Sequence, residues 1–170
     1  RIPQGRFGGQ QNGRSVMYEL SSRISKLLTT ASQLDGSDLR PDTLGAISRG
    51  VLQLSDMFTR DSSSFGANYL EESKLRQAYL AYYVPVNLAK VQLLLAELQP
   101  LLAAHKEPEF RVLDVGGGPG TGALALLDWA CSTSAPSPDT LRMAVMDRSP
   151  AVLAVCTELW RSYLGEVREY

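Results

Sequence analysis

An aspartate stands near the end of an apolar run in the segment FRVLDVGGGPGTGALAL, Phe110 to Leu126, and behind it the backbone is bare at Gly116, Gly117, Gly118, Gly120 and Gly122. Glycine lets the chain take positive φ and lets a ligand come close to the main chain, and the N–H groups that open a following helix carry partial positive charge. A loop of this kind can grip an anion through those N–H groups, or receive a cation drawn in by the carboxylate of Asp114. A second acid, Asp147, follows another apolar run, LRMAVM. A carboxylate at a strand end can accept hydrogen bonds from the hydroxyls of a ribose.

Two registers compete for the same glycines. As G-x-G-x-x-A, Gly118, Gly120 and Ala123 satisfy the dinucleotide fingerprint, in which a helix N-terminus holds the pyrophosphate of NAD or FAD. As D-x-G-x-G-x-G, Asp114, Gly116, Gly118 and Gly120 match the first motif of methyltransferases that use S-adenosylmethionine (SAM). Charge favours the second register. SAM carries a sulfonium and an ammonium group and no phosphate, so Asp114 attracts it and repels a pyrophosphate. Two unit charges about 4 Å apart interact by roughly 4 kcal/mol at an effective dielectric near 20, enough for the sign to decide. The dinucleotide register also leaves Gly116 and Gly117 as spare residues between strand and fingerprint. The candidate cofactor-binding residues are thus Asp114, Gly116, Gly117, Gly118, Gly120 and Asp147, with Asp147 serving either ligand. A glycine turn without a ligand is the third reading, and against it stands the helix and strand propensity that so many glycines forfeit.

Other residues have simpler readings. His105, the only histidine, reads as a helix-end residue interacting with the helix dipole rather than as a base. Tyr79, Tyr82 and Tyr83 could stack on an RNA base or an adenine, yet their spacing suits packing between helices. Asn87 and Lys90 read as a solvated face. Cys131, in an expected loop, and Cys156, on an expected helix, are too few for a disulfide framework or a thiolate metal site. No metal set and no catalytic side chain is identified.

The elements that must position the site follow from periodicity. From Val16 to Leu34, Met17, Leu20, Ile24, Leu27, Ala31 and Leu34 recur at spacings of three and four and predict a helix. Leu44, Ile47, Val51, Leu54 and Phe58 predict a second, Leu70 to Tyr83 a third, and Leu88, Val91, Leu95, Leu98 and Leu102 a fourth. Pro85 suits the first turn of that fourth helix, and Pro100 with HKEPE marks where it frays and stops. Residues 16–105 therefore read as an all-helical N-terminal region. After Pro108 the texture becomes strand, glycine turn, helix, strand and helix, with Ser149 and Pro150 placed to start the last helix. This alternation predicts an α/β unit over 106–170 with a parallel sheet whose ligands sit at the carboxyl ends of the strands.

The composition excludes several classes. With 17 Lys+Arg against 18 Asp+Glu in 170 residues the net charge is -1, so no global field draws the chain onto nucleic acid or anionic lipid. Its apolar stretches fall short of the roughly 20 residues that span a bilayer, and no membrane partner is expected. The acid-poor start RIPQGRFGGQQNGR reads as a flexible lead-in over 1–15. A targeting-sequence remnant or an RNA-touching arm are its alternatives.

Taken together, RQAYLAYYVPVNLAKVQLLLAEL, RVLDVGGGPGTGALAL and MAVMDRSPAVLAV resemble the methyltransferase-like family of mitochondrial small-ribosomal-subunit proteins and their bacterial relatives. The resemblance covers most of residues 44–164, and the YLAYYVP helix pair ahead of the glycine motif is its more specific part. It implies a SAM-type Rossmann-like parallel sheet, partial here because only two strands are read, behind the helical region. It implies SAM as cofactor, with Asp114, Gly116, Gly118 and Gly120 around its methionine and ribose and Asp147 on the ribose diol. The implied partners are the rRNA and proteins of the small ribosomal subunit. The implied location is the mitochondrion, or the cytoplasm for a bacterial member.

Activity is expected to be methyl transfer in small-subunit biogenesis. The alternative is a ribosome-assembly or structural subunit that keeps the fold without turnover, and an NAD-type oxidoreductase ranks third. The chain departs from the family pattern in three places. The loop CSTSAPSPDT lengthens the path from the glycine turn to Asp147 beyond the roughly 20 residues usual there, as a surface insertion. The substrate-side motif of such enzymes lies beyond the fourth strand and has no counterpart here, so the chain reads as a fragment. An iron–sulfur cluster would belong only to the family's later region, which Cys131 and Cys156 do not match.

Overall fold

The computed structural model describes residues 18–34, 40–59, 69–104, 108–132 and 140–168. The lead-in, Val16 and Met17, His105 and most of the loop before the second strand lie outside the described residues. Within them the molecule is mixed α/β, mostly helical, with a small two-stranded parallel sheet.

The first helix, α1 (Ser22–Ala31), starts later than its periodicity suggests because Ser21 caps it. The Ser21 hydroxyl oxygen accepts the Ile24 N–H at 3.2 Å, satisfying one of the donors that a helix start leaves unpaired. At the other end the Gln33 N–H donates to the Thr30 carbonyl (3.1 Å) and the Leu34 N–H to the Thr29 carbonyl (3.0 Å). These paired bonds require a left-handed residue after the cap. Gln33 takes that conformation, at φ 55°.

Helix α2 (Pro41–Thr59) begins with proline, whose missing N–H costs nothing at a first helical position. It crosses α3 (Ser73–Ala78) so closely that a Cβ at Gly50 would stand 2.6 Å from that of Ala78.

No break separates the third and fourth predicted helices. α3 runs through a π turn (Tyr79–Tyr83) into α4 (Val84–Ala103), with the Val84 N–H donating to the Tyr79 carbonyl five residues back. Pro85 offers no N–H and its ring crowds the preceding turn, and widening that turn lets the helix continue. α4 passes Pro100 and ends at Ala103, just before the HKEPE segment read as its stop. The buried face of α4 is shorter than expected: Leu88 is fully buried and Leu98 exposed.

Strand β1 (Glu109–Val115), helix α5 (Thr121–Ser132), strand β2 (Thr140–Met146) and helix α6 (Pro150–Arg168) follow the expected alternation. Cys131 belongs to the last turn of α5, not to a loop. The strands pair in parallel, with Glu109 opposite Thr140 and Val115 opposite Met146. Ser149 caps α6 as its position suggests, its hydroxyl oxygen accepting the Val152 N–H at 3.3 Å. Strand alternation divides the sheet. Phe110, Val112, Leu141, Met143 and Val145 are partly covered, whereas Leu113 (59% exposed), Val115 (73%) and Met146 (56%) lie on an open face.

The larger of two buried clusters joins the helical region to the α/β unit. Ile24, Leu27 and Leu28 of α1 pack with Leu80, Val84, Leu88, Leu124, Ala125, Val152, Val155, Leu159 and Tyr163. Asp128 of α5 is buried within reach of this core, 2% exposed. Its Oδ1 accepts from the hydroxyls of Ser21 (2.8 Å) and Tyr163 (2.9 Å), and its Oδ2 from the Gln92 amide (2.9 Å). The Tyr18 hydroxyl in turn donates to Gln92 at 2.7 Å. One carboxylate therefore ties α4, α5, α6 and the start of α1 together. Among the described residues no helix is long and apolar enough to cross a membrane.

Candidate functional site

Parallel register brings the two strand ends together. Asp114 lies opposite Val145, and Asp147 directly follows Met146. The glycine turn is stitched to this end of β2, since the N–H groups of Gly116 (2.8 Å) and Gly117 (3.1 Å) both donate to the Met146 carbonyl. Further round, the Gly118 N–H donates to Asp147 Oδ2 at 3.1 Å, while Asp147 Oδ1 accepts from Ser149 N–H at 2.9 Å. The turn closes with the Gly120 N–H on the Gly117 carbonyl (2.9 Å), and the Leu124 N–H on the Gly120 carbonyl (2.8 Å) begins α5. Asp114 Oδ2 accepts the Ala123 N–H at 3.2 Å. A carboxylate at this first turn also meets the positive end of the helix dipole.

The glycines divide by what demands them. Gly116, Gly118 and Gly120 have φ of 68°, 58° and 78°, values that L side chains rarely adopt. Gly117 and Gly122 are required by packing: a Cβ would come within 2.8 Å of Asp114 Oδ2 at the first and 2.9 Å at the second. Gly120 is required on both counts, because its Cβ would lie 2.5 Å from the Cys156 sulfur. Gly116 is different. Among the described residues nothing lies within 4 Å of its Cβ direction, so bare backbone there faces open space between them. At Gly118 the nearest atom is the Tyr79 hydroxyl oxygen, at 3.6 Å.

The sequence-identified residues are thus assembled around one turn, with Asp114 and Asp147 on the two strands and the glycines between. Asp114 serves the fold with Oδ2 and leaves Oδ1 without a protein donor among the described residues. Burial, followed by the Asp114 charge, pushes the Cys156 thiol up, so this cysteine is held as a neutral packing group. The indole N–H of Trp160, beside Gly120, is buried without an acceptor among the described residues.

Sequence reasoning missed two features. The first is a cluster of rings beneath the turn. Tyr79 stacks on Tyr83 (centroids 5.4 Å apart, 26°), and Phe58 and Tyr69 lie at 6.2 Å and 5.8 Å from Tyr79. The packing role expected of Tyr79 and Tyr83 is therefore present, but Tyr79 also reaches the glycine turn. The second is Asp128, whose signal was a lone acid inside the apolar helix ALALLDWA. Asn87 and Lys90 form an exposed pair, with Lys90 Nζ donating to Asn87 at 3.4 Å. A cleft of about 360 Å³ between α1, α3 and α6, bordered by Gln33, Lys74, Arg76 and Glu158, contains none of the glycine-turn residues.

Among the described residues no group of three or more His, Cys, Asp or Glu is placed to hold a metal ion. Comparison with protein-family models, with curated proteins and with solved structures yields no match to this chain.

Proposed function

We propose that the glycine turn between Asp114 and Asp147 binds SAM, and that β1, α5, β2 and α6 form the first part of a SAM-type Rossmann-like sheet. The observation that carries this reading is the pairing of two carboxylates on one turn of three left-handed glycines, with Gly116 opening onto free space. Anionic pyrophosphate meets repulsion from both acids. The ammonium and sulfonium of SAM meet attraction, and the ligand's own carboxylate suits the positive end of α5. Asp147 already accepts two N–H donors, and each carboxylate oxygen has a further lone pair for a ribose hydroxyl.

The reaction class follows from the ligand. A substrate nitrogen or carbon attacks the SAM methyl in line with the departing sulfur, and the protein contributes positioning and a site for the sulfonium. With the family resemblance of the sequence, the reading extends to a methyltransferase of small-ribosomal-subunit biogenesis in the mitochondrion, or in the cytoplasm of a bacterium, with rRNA and ribosomal proteins as partners. A non-catalytic assembly subunit that retains the SAM site is the second reading. Titration calorimetry with SAM, S-adenosylhomocysteine and NAD in parallel tests the ligand class. Heat from the first two alone is expected, and heat from NAD alone overturns the proposal.

A further inference from the structure

The helical N-terminal region contributes a side chain to the glycine turn. Tyr79 leaves the rod formed by α3 and α4 at the start of its π turn, and π turns inserted in α-helices occur frequently at functional sites. Its ring is held by Tyr83, Tyr69 and Phe58. That leaves the hydroxyl little freedom. The oxygen stands 3.6 Å from the Cβ direction of Gly118, whose N–H is bound to Asp147.

A phenol can donate its own proton and accept another. Burial above all pushes the Tyr79 phenol up, so its O–H is retained at neutral pH.

We infer that Tyr79 is a ligand-binding residue: its O–H, held over Gly118 beside Asp147, hydrogen-bonds a ribose hydroxyl of the nucleoside bound at the glycine turn. This rests on the nucleoside reading above and adds to it a group from outside the α/β unit. Tyr79 and Asp147 divide the ribose diol between a neutral donor and a charged acceptor. The packed tyrosines become the means by which α2, α3 and the π turn fix that donor in place.

The test compares the wild-type chain with Tyr79→Phe, which removes one oxygen and keeps the ring. Calorimetric affinities are measured for S-adenosylhomocysteine and for its 2′,3′-dideoxy analogue. The variant is expected to bind S-adenosylhomocysteine about fivefold more weakly, the order of one neutral hydrogen bond. Binding of the dideoxy analogue is expected to be unchanged. Equal loss for both ligands, or loss for neither, overturns the assignment of Tyr79 while leaving the glycine-turn reading intact. Failure of the wild-type chain to bind either ligand overturns both.

Discussion

The Asp147 carboxylate that follows β2 accepts the backbone N–H of Gly118 in the turn that follows β1, at 3.1 Å. With the Ser149 N–H on its other oxygen, this acid fixes the glycine turn and the start of α6 at once. Asp147→Ala deprives two N–H groups of their acceptor. Urea unfolding is expected to register a loss of about 1–3 kcal/mol. An unchanged midpoint would mean that water replaces the carboxylate at no cost, and that the turn holds its shape without it.

Asp128 has a larger expected effect because it is nearly inaccessible and receives three side-chain donors. Asp128→Ala leaves Ser21, Gln92 and Tyr163 facing an apolar gap, at a cost of about 3 kcal/mol in thermal or urea unfolding. A loss below about 1 kcal/mol would contradict the role given to it here.

Much of this fold was legible in the chain, and the exceptions share a cause. Spacing located the four helices and both strands, and Ser149–Pro150 was readable as a helix start because capping is local chemistry. The strand ends and glycine turn were likewise readable, since the turn's residues are neighbours in sequence. Pro85 lies in the first turn of α4 as read, but the break expected before it is absent, because a proline's effect depends on whether the helix can widen, and tertiary packing decides that. The hydrogen-bonding role of Asp128, a lone acid in an apolar helix, and the Tyr79–Gly118 contact were not legible for a related reason. Their partners lie far along the chain, and no spacing rule connects them.

Gln33 carries backbone strain at the end of α1, with φ 55° in a position usually given to glycine. Gln33→Gly is expected to stabilise the chain by about 1 kcal/mol, relieving the left-handed penalty of an L residue at some cost in unfolded-state entropy. A fall in the thermal midpoint would instead show that the glutamine side chain contributes more than its backbone costs.

Alkaline pH should weaken the fold. Burial is the first cause that pushes up Tyr69, Tyr79, Tyr163 and Cys156, with the Asp128 charge second for Tyr163. Raised folded values mean that the native state holds these protons more tightly than the unfolded chain. Their contribution is complete below the ordinary values of 9.0 for cysteine and 10.0 for tyrosine, and is lost as pH rises through the raised ones. Thermal midpoints across that range should fall together with the appearance of tyrosinate absorbance. Alkylation offers a parallel check: exposed Cys131 should react in the native protein and buried Cys156 only on unfolding. Prompt modification of both would contradict the packing assigned to Cys156.

The most direct measurement is SAM affinity of the wild-type chain beside Asp114→Asn. Asparagine can still accept the Ala123 N–H that Asp114 Oδ2 receives, so the substitution removes charge while sparing the helix start. Binding weaker by about tenfold or more, equivalent to about 1.4 kcal/mol, with an unchanged thermal midpoint, is the predicted result. Equal affinity in the two proteins would contradict the claim that the Asp114 charge selects the ligand.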